Sequence, residues 1–373
     1  DGFRFDYTDR CETPNFDSLV VNGVSAKSLI PVFPSLTFPN HYSIATGSYV
    51  NRHRLIANTF YDKKFKEKYS LRDRITVEDG KWYDAEPIWV TAEKQAMLTA
   101  TYFWVGSEAE IKGYRPSIYK KYNSKISFED RIDSVFTWFD LDYDKRPQLV
   151  MLYFNEPDHE GHVSGPESKE TTKKIELSDF LLGKILDKIS LSSIKDSLDL
   201  IVISDHGMTD VSKDRVVYVN HYIRGLYDMK FFNDGPFMQI DVKPNKSFRK
   251  NSIYRALKKI PNVSLFKKNE IPERFEFVNY NTGDFLLVAN EGWFISMDSK
   301  LKVDFKLKGM HGYDPQLLNM QAIFYAYGPS FKKNYKIESF ENIHIYPLLC
   351  KLLEIEPSEY IDGNIRYLNS VIK

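Results

Sequence analysis

Three clusters that combine acids with histidines are spread along the chain: Asp158 with His162 in Asp-His-Glu-Gly-His, Asp205-His206 in Ser-Asp-His-Gly-Met, and His311 in Met-His-Gly-Tyr-Asp. Asp1, in the opening Asp-Gly-Phe-Arg, adds a carboxylate. Three carboxylates and three imidazoles are enough for two metal ions with three protein ligands each. Catalytic zinc commonly takes three protein ligands and keeps a fourth position open. Two such ions roughly 4 Å apart can clamp the attacking and leaving oxygens of an in-line phosphoryl displacement. The chemistry these side chains suggest is hydrolysis of a phosphate ester.

A nucleophile candidate lies in Pro34-Ser-Leu-Thr-Phe-Pro-Asn-His41. Pro39 suits the first turn of a helix. Thr37 would then sit just ahead of that helix, where the N–H groups and dipole favour a phosphate or an ionised hydroxyl. A protonated threonine hydroxyl is a poor nucleophile, and metal coordination is the activation available to it here. The segment alone equally allows Thr37 to be only a capping residue.

These residues need a frame. Leu149 to Phe154 and Leu198 to Ile203 read as buried strands, with a helix expected between them from Ser168 to Ile189. Gln321 to Ala326 reads as another strand and Asn342 to Leu353 as a helix. Such alternation predicts an α/β fold, a central, mostly parallel sheet flanked by helices. Asp158 follows the first strand by four residues and Asp205 the second by two, so both fall on the carboxyl rim where open α/β sheets carry their sites. A small α+β insertion is expected within 213–308, and an aromatic-rich excursion over 51–131 is expected to form a substrate wall. An aspartate on this rim normally ends a buried strand, so a strand, and with it a targeting segment, is expected ahead of Asp1.

Lys plus Arg (51) balances Asp plus Glu (51) over 373 residues, so no global field favours a nucleic-acid duplex or an anionic membrane. A small anionic substrate must be held by local groups. No apolar run reaches the roughly 18 residues needed to span a bilayer. Cys11 and Cys350 are expected to be free, buried thiols rather than a pair. The glycosylation-type triplets at Asn245 and Asn262 carry little weight.

Beyond these clusters, the chain carries Thr13-Pro-Asn15, Phe33-Pro-Ser-Leu-Thr-Phe-Pro-Asn-His-Tyr42, Glu86-Pro-Ile-Trp-Val-Thr91, Glu156-Pro-Asp158 with Gly161-His162, Glu291-Gly-Trp293 and His311-Gly-Tyr313. With these pieces it resembles the nucleotide pyrophosphatase/phosphodiesterase family of the alkaline phosphatase superfamily, along its whole length. The resemblance implies an alkaline-phosphatase-like fold and a two-zinc enzyme that forms a phospho-threonine. It assigns Asp158, His162 and His311 to one zinc, and Asp1, Asp205, His206 and Thr37 to the other. Asn58 matches the asparagine that donates to a phosphate oxygen. Phe38 and Tyr122 match aromatics that sandwich a nucleotide base, with Trp104 nearby and Tyr119 as the competitor of Tyr122.

Lysophospholipase D-type members lack the stretch from Gly106 to Arg131 that is present here, which favours a nucleotide over a lipid-headgroup substrate such as a choline ester. A catalytically dead nucleotide-binding scaffold is the third reading, and the intact ligand set opposes it. The family further implies a periplasmic, secreted or cell-surface location. One departure is Arg54 after His53, where the family often has glycine. Of the remaining histidines, His41 is expected to orient neighbours, His159 to support a ligand, and His53, His221 and His344 to be structural or exposed. Two zinc ions set against three aspartates and one alkoxide leave the site near neutral. No arginine in the nucleophile segment offers a clamp for extra charge, so diesters are expected over monoesters.

Overall fold

Short, branched apolar runs such as Leu149-Val-Met-Leu152 and Leu200-Ile-Val-Ile203 are too short for core helices and fold as inner strands. The computed structural model of the chain describes residues 1–226, 228–297 and 305–373. Its strands around the site are β1 (Val24–Ala26), β2 (Thr99–Tyr102), β3 (Ile118–Lys120), β4 (Leu149–Leu152), β5 (Leu200–Ile203), β6 (Phe324–Tyr327) and β7 (Tyr335–Ile337). One sheet has the order β3-β2-β4 and is entirely parallel, with Thr99 opposite Leu149 and Ala100 opposite Ile118. The other has the order β7-β1-β6-β5.

The expectation of a mostly parallel sheet needs one amendment, at β6. It runs antiparallel to both neighbours, Phe324 facing Ile203 and Ala326 facing Val24. The cause is connectivity: the chain arrives at β6 from the His311 loop, already on the carboxyl rim, and has to run back down the sheet. The four-stranded sheet is therefore mixed, with β6 alone opposing its other strands, and it stands beside a parallel three-stranded one.

The helices around this frame are α1 (Pro14–Asn22), α2 (Thr37–Thr46), α3 (Phe128–Phe139), α4 (Asp158–Ser164), α5 (Lys169–Leu191) and α7 (Ile345–Leu352), while α6 (Lys250–Leu257) lies in the insertion. The side chain of Ser168 caps α5 by accepting from the Thr171 amide. The helix then buries Thr171, Ile175, Leu182 and Ile189, close to the three-and-four spacing of a core-facing stripe. It also buries Asp179, which accepts from the amides of Asn15 and Phe16, both at 2.9 Å, in the first turn of α1. A carboxylate there satisfies orphan donors and complements the helix dipole.

Residues Met229–Phe232, Phe237–Val242, Phe285–Ala289 and Val263–Lys267 form an antiparallel sheet in that order, with α6 close by in sequence. Met238, Ile240, Ile253, Leu257 and Leu287 share a core of their own there. Both cysteines are free; Cys350 is buried, whereas Cys11 is only half-buried, unlike the expectation for it. Among the described residues, no helix is long and apolar enough to cross a membrane.

Candidate active site

The rim after β4 and β5 is built by short segments that pin one another. Asp158 opens α4 and His162 lies one turn later, so both face one side of it. Ser204-Asp205-His206 follows β5 directly. His311 comes after Gly309–Met310, a two-residue strand paired with Thr209–Asp210, which ties the last cluster to the segment after His206. Asp1 is held by its backbone: its nitrogen donates to Phe154 O (2.9 Å) and its carbonyl accepts from Asp158 N (3.1 Å). The next amide, Gly2, donates to Asp205 Oδ1 at 3.1 Å. Gly2 has φ +66°, and a Cβ on it would lie 2.6 Å from Asp158 Cβ, so glycine is needed for this approach.

The side chains converge. His162 Nε2 is 3.1 Å from His311 Nε2, with Asp158 Oδ2 3.5 Å from the first and Asp158 Oδ1 3.5 Å from the second. His206 Nε2 is 3.0 Å from Asp205 Oδ2, 3.4 Å from Asp1 Oδ1 and 3.3 Å from Thr37 Oγ1. The rings of His206 and His311 stack at 3.5 Å. Two groups of donor atoms lie within 4.8 Å of one another: Asp158, His162 and His311, and Asp1, Asp158 and His206. Asp158 thus bridges the groups, and Asp205 joins the second through His206.

The hydrogen bonds say what these atoms are for. Nδ1 of His162 sits 2.9 Å from Gly309 O, that of His206 2.9 Å from Gly207 O, and that of His311 2.8 Å from Ser35 O. A carbonyl only accepts, so each imidazole carries its proton on Nδ1 and turns a lone pair on Nε2 toward the others. Asp1 Oδ1, Asp158 Oδ1 and Asp205 Oδ2 are buried there without a hydrogen-bond donor. Lone pairs facing lone pairs in a water-poor site call for a cation, and a nitrogen-and-oxygen donor set of this kind suits zinc.

The electrostatics agree in sign. Burial, followed by the His206 charge, lowers His311 to about 3, so it stays neutral. Burial acts to push His206 down as well, but Asp205 outweighs it and the net shift is upward. Asp205 is held well below the carboxylate range although burial opposes this, because His206 and His41 lie against it. Asp158 is lowered against burial by His162 and His311.

Thr37 is the first residue of α2, with Leu36 as the cap, so it lies inside the helix rather than just ahead of it. Asn58 Oδ1 accepts from the Phe38 amide at 2.9 Å, which fixes the flip of its side chain and leaves Nδ2 free to donate elsewhere. Phe38 packs edge-on to Tyr69 at 6.2 Å, whereas Tyr122 is 44% exposed and rests on Phe103 at 5.1 Å. The two rings therefore rest on different neighbours. Trp104 is buried beneath α2, its Nε1 donating to His41 O at 3.2 Å, so it supports the helix and offers little open face. His53 and His344 are buried, and His159 and His221 lie outside the cluster.

Three further residues support this set: Ser35 and His41 belong to the nucleophile segment, and Tyr153 had no motif to mark it. Tyr153 donates to Asp1 Oδ2 at 2.5 Å and leans its ring on His41. His41 Nδ1 is 2.9 Å from Thr37 O and 3.3 Å from Asp205 Oδ2, linking nucleophile and ligand. Ser35 accepts from Gly312 N through Oγ and from His311 through its carbonyl. The only sequence signal for Tyr153 is its place at the end of β4.

A mixed α/β sheet whose rim gathers acids and imidazoles beside a hydroxyl on a helix N-terminus is an arrangement that could hold a metal ion next to a nucleophile. Comparison with known proteins gives the family. Residues 1–314 match the model of the type I phosphodiesterase / nucleotide pyrophosphatase family, and the chain belongs to that family. It is 36% identical over its full length to venom phosphodiesterase 2 of Crotalus adamanteus, covering 46% of that protein. It is 37% identical to human ectonucleotide pyrophosphatase/phosphodiesterase family member 1, again over its full length and 41% of the relative. The chain thus spans about half the length of these curated relatives. A solved structure of murine ectonucleotide pyrophosphatase/phosphodiesterase 5, an inactive variant in complex with AMP, superposes with a TM-score of 0.93 at 33% identity, covering 100% of this chain and 98% of that one.

Proposed function

We propose that the chain is a two-zinc phosphodiesterase that cleaves phosphodiester or pyrophosphate bonds of nucleotides and releases nucleoside monophosphates, with Thr37 as nucleophile. The observation that carries this reading is the approach of Thr37 Oγ1 to His206 Nε2, 3.3 Å, within a set of imidazole lone pairs and unpartnered carboxylates. Asp158, His162 and His311 would hold one zinc, and Asp1, Asp205 and His206 the other. When bound, zinc stabilises charge on phosphoryl oxygens and makes a hydroxyl it touches easier to ionise.

The residues divide the remaining work. The N-terminus of α2 presents Thr37 Oγ1 and the helix dipole to the phosphoryl group. Asn58 Nδ2 donates to a non-bridging oxygen. Thr37 Oγ1 forms the new bond to phosphorus as the bond to the leaving alcohol or phosphate breaks in line, giving phospho-threonine. Water then displaces the threonine from the opposite side, so phosphorus keeps its configuration overall. Phe38 and Tyr122 would take the base between them, since stacking accepts any base and contributes about 1–3 kcal/mol.

The AMP in the murine structure supports a nucleotide ligand, and relatives named as venom or ecto-enzymes support an extracytoplasmic site of action. Thr37→Ala should retain bound metal while losing turnover of a nucleotide diester; full activity in that variant overturns the nucleophile. Turnover of glycerophosphocholine in preference to nucleotides would instead select the lipid-headgroup reading. Bound zinc without hydrolysis of any diester would select the dead scaffold.

A further inference from the structure

The two aromatics proposed to enclose a base rest on different neighbours, so other residues have to set the spacing between them. Phe38 is fixed by α2, where its amide donates to Asn58 Oδ1 at 2.9 Å. Tyr122 donates its amide to Glu108 Oε2 at 3.2 Å, which holds its main chain, while its ring rests on Phe103 at 5.1 Å. Phe103 follows β2 directly and is a buried aromatic with φ +69°. A bulky residue in that conformation is strained and persists only where its surroundings hold it.

Arg131, in the first turn of α3, supplies the hold. It is 1% exposed, and its guanidinium carbon lies 5.0 Å from the centre of the Phe103 ring and 4.8 Å from that of Phe128. Nε and Nη2 donate to Ile126 O at 3.2 and 3.1 Å, and Nη1 donates to Tyr153 O at 3.0 Å. All three bonds go to main-chain carbonyls, and among the described residues no carboxylate pairs with this cation. A buried charge without an acid is costly, and an apolar side chain would fill the same space at less cost. What the charged fork provides is geometry, since it joins three segments at fixed distances. Tyr153 carries the link onward to α2: its ring meets His41 edge-on at 5.2 Å, and His41 lies one turn after Phe38. The connection from one wall to the other thus runs Phe38, His41, Tyr153, Arg131, Phe103, Tyr122. Trp104 adds a parallel tie to His41 O at 3.2 Å, but it holds the residue after Phe103 and not the Phe103 ring.

We infer that Arg131 is a positioning residue for nucleotide recognition: it holds the Phe103 ring, and Tyr122 upon it, at a fixed spacing from Phe38. The inference rests on the nucleotide phosphodiesterase reading and deepens it, by naming what sets the preference for a base. Without the guanidinium, Phe103 relaxes from its strained conformation and the Tyr122 ring moves with it. Lysine does not replace it, because an ammonium neither forks to two carbonyls nor lies flat between two rings. Thr37 is presented by α2 itself, so the loss falls mainly on the base and not on the reacting atoms.

The test compares two nitrophenyl diesters that share a leaving group, one of thymidine 5′-monophosphate and one of methyl phosphate, on the full zinc-loaded chain and on Arg131→Met. The ratio of kcat/KM for the nucleoside ester over the methyl ester should fall about tenfold, with the loss carried by KM. AMP binding, followed by titration calorimetry, should weaken about tenfold, and methyl phosphate binding by much less. Arg131→Lys should lose the same preference, and it reads the ratio if Arg131→Met does not fold. An equal loss on both esters marks a general structural role and overturns the inference, as does an unchanged ratio. Should the unsubstituted chain cleave neither ester, the phosphodiesterase reading fails and the AMP titration alone decides the inference.

Discussion

Each site imidazole gives its Nδ1 hydrogen to a main-chain carbonyl, and this choice by Gly207, Gly309 and Ser35 is what turns three histidines into three donors aimed at one centre. Supporting contacts of this kind typically hold metal affinity by 10–100-fold. Tyr153, which binds Asp1 Oδ2, is placed to act in the same way. Tyr153→Phe should weaken zinc retention by about that factor, measured by competition with a chelator, while circular dichroism stays unchanged. Loss of a single preorganised donor costs about 10²–10³-fold in kcat. Asn58→Ala should fall in that range with metal content intact, and steady-state kinetics beside metal analysis checks it. These residues differ in how far the sequence exposed them: Asp205-His206 stands out after an apolar strand, whereas Tyr153 looks like any strand tyrosine.

At the scale of elements, the His311 strand and α4 approach without room for a side chain. A Cβ on Gly309 would lie 2.3 Å from Gly161 O, a backbone atom that cannot step aside. Gly309→Ala should therefore shift His311 relative to His162 and cost about 1–3 kcal/mol, read from denaturant melts. A second test concerns the turn after α2. His53 accepts from Leu55 N through Nδ1 and contacts Ser43 Oγ through Nε2, and burial lowers it to about 3. Its unfolded value is near 6.5, so between these values the unfolded chain binds the extra proton. The stabilising contribution is complete above about pH 6.5 and falls by about 1.4 kcal/mol per pH unit on acidification toward the folded value. Burial lowers His344 to about 4, which acts in the same direction. His53→Gln should flatten the pH dependence of stability between pH 7 and 5, compared by urea melts.

For the whole molecule, balanced charge leaves recognition to local groups, and the proposed two-zinc site, near neutral with no arginine in the nucleophile segment, would disfavour doubly charged esters. Bis-nitrophenyl phosphate should turn over faster than nitrophenyl phosphate, and faster monoester cleavage contradicts the charge argument. The fold was legible where periodicity and length agreed. The helix expected from Ser168 to Ile189 forms as α5 over Lys169–Leu191, and the helix expected from Asn342 to Leu353 contains α7 over Ile345–Leu352. Strand direction was not legible. Apolar runs look alike in either sense, and only the return of the chain from the His311 loop makes β6 antiparallel.

The residue types alone settled what chemistry was available, because six scattered acids and imidazoles with one threonine have few other uses in common. They also settled where the strands must end, since Asp158 and Asp205 follow apolar runs at short range. What only tertiary structure decided is which atoms meet: that Asp158 lies between the two groups, and that Tyr153, His41 and Ser35 contact Asp1, Asp205 and His311. Those contacts join residues up to 276 positions apart in the chain, and no local pattern encodes a hydrogen bond closed by the packing of other elements.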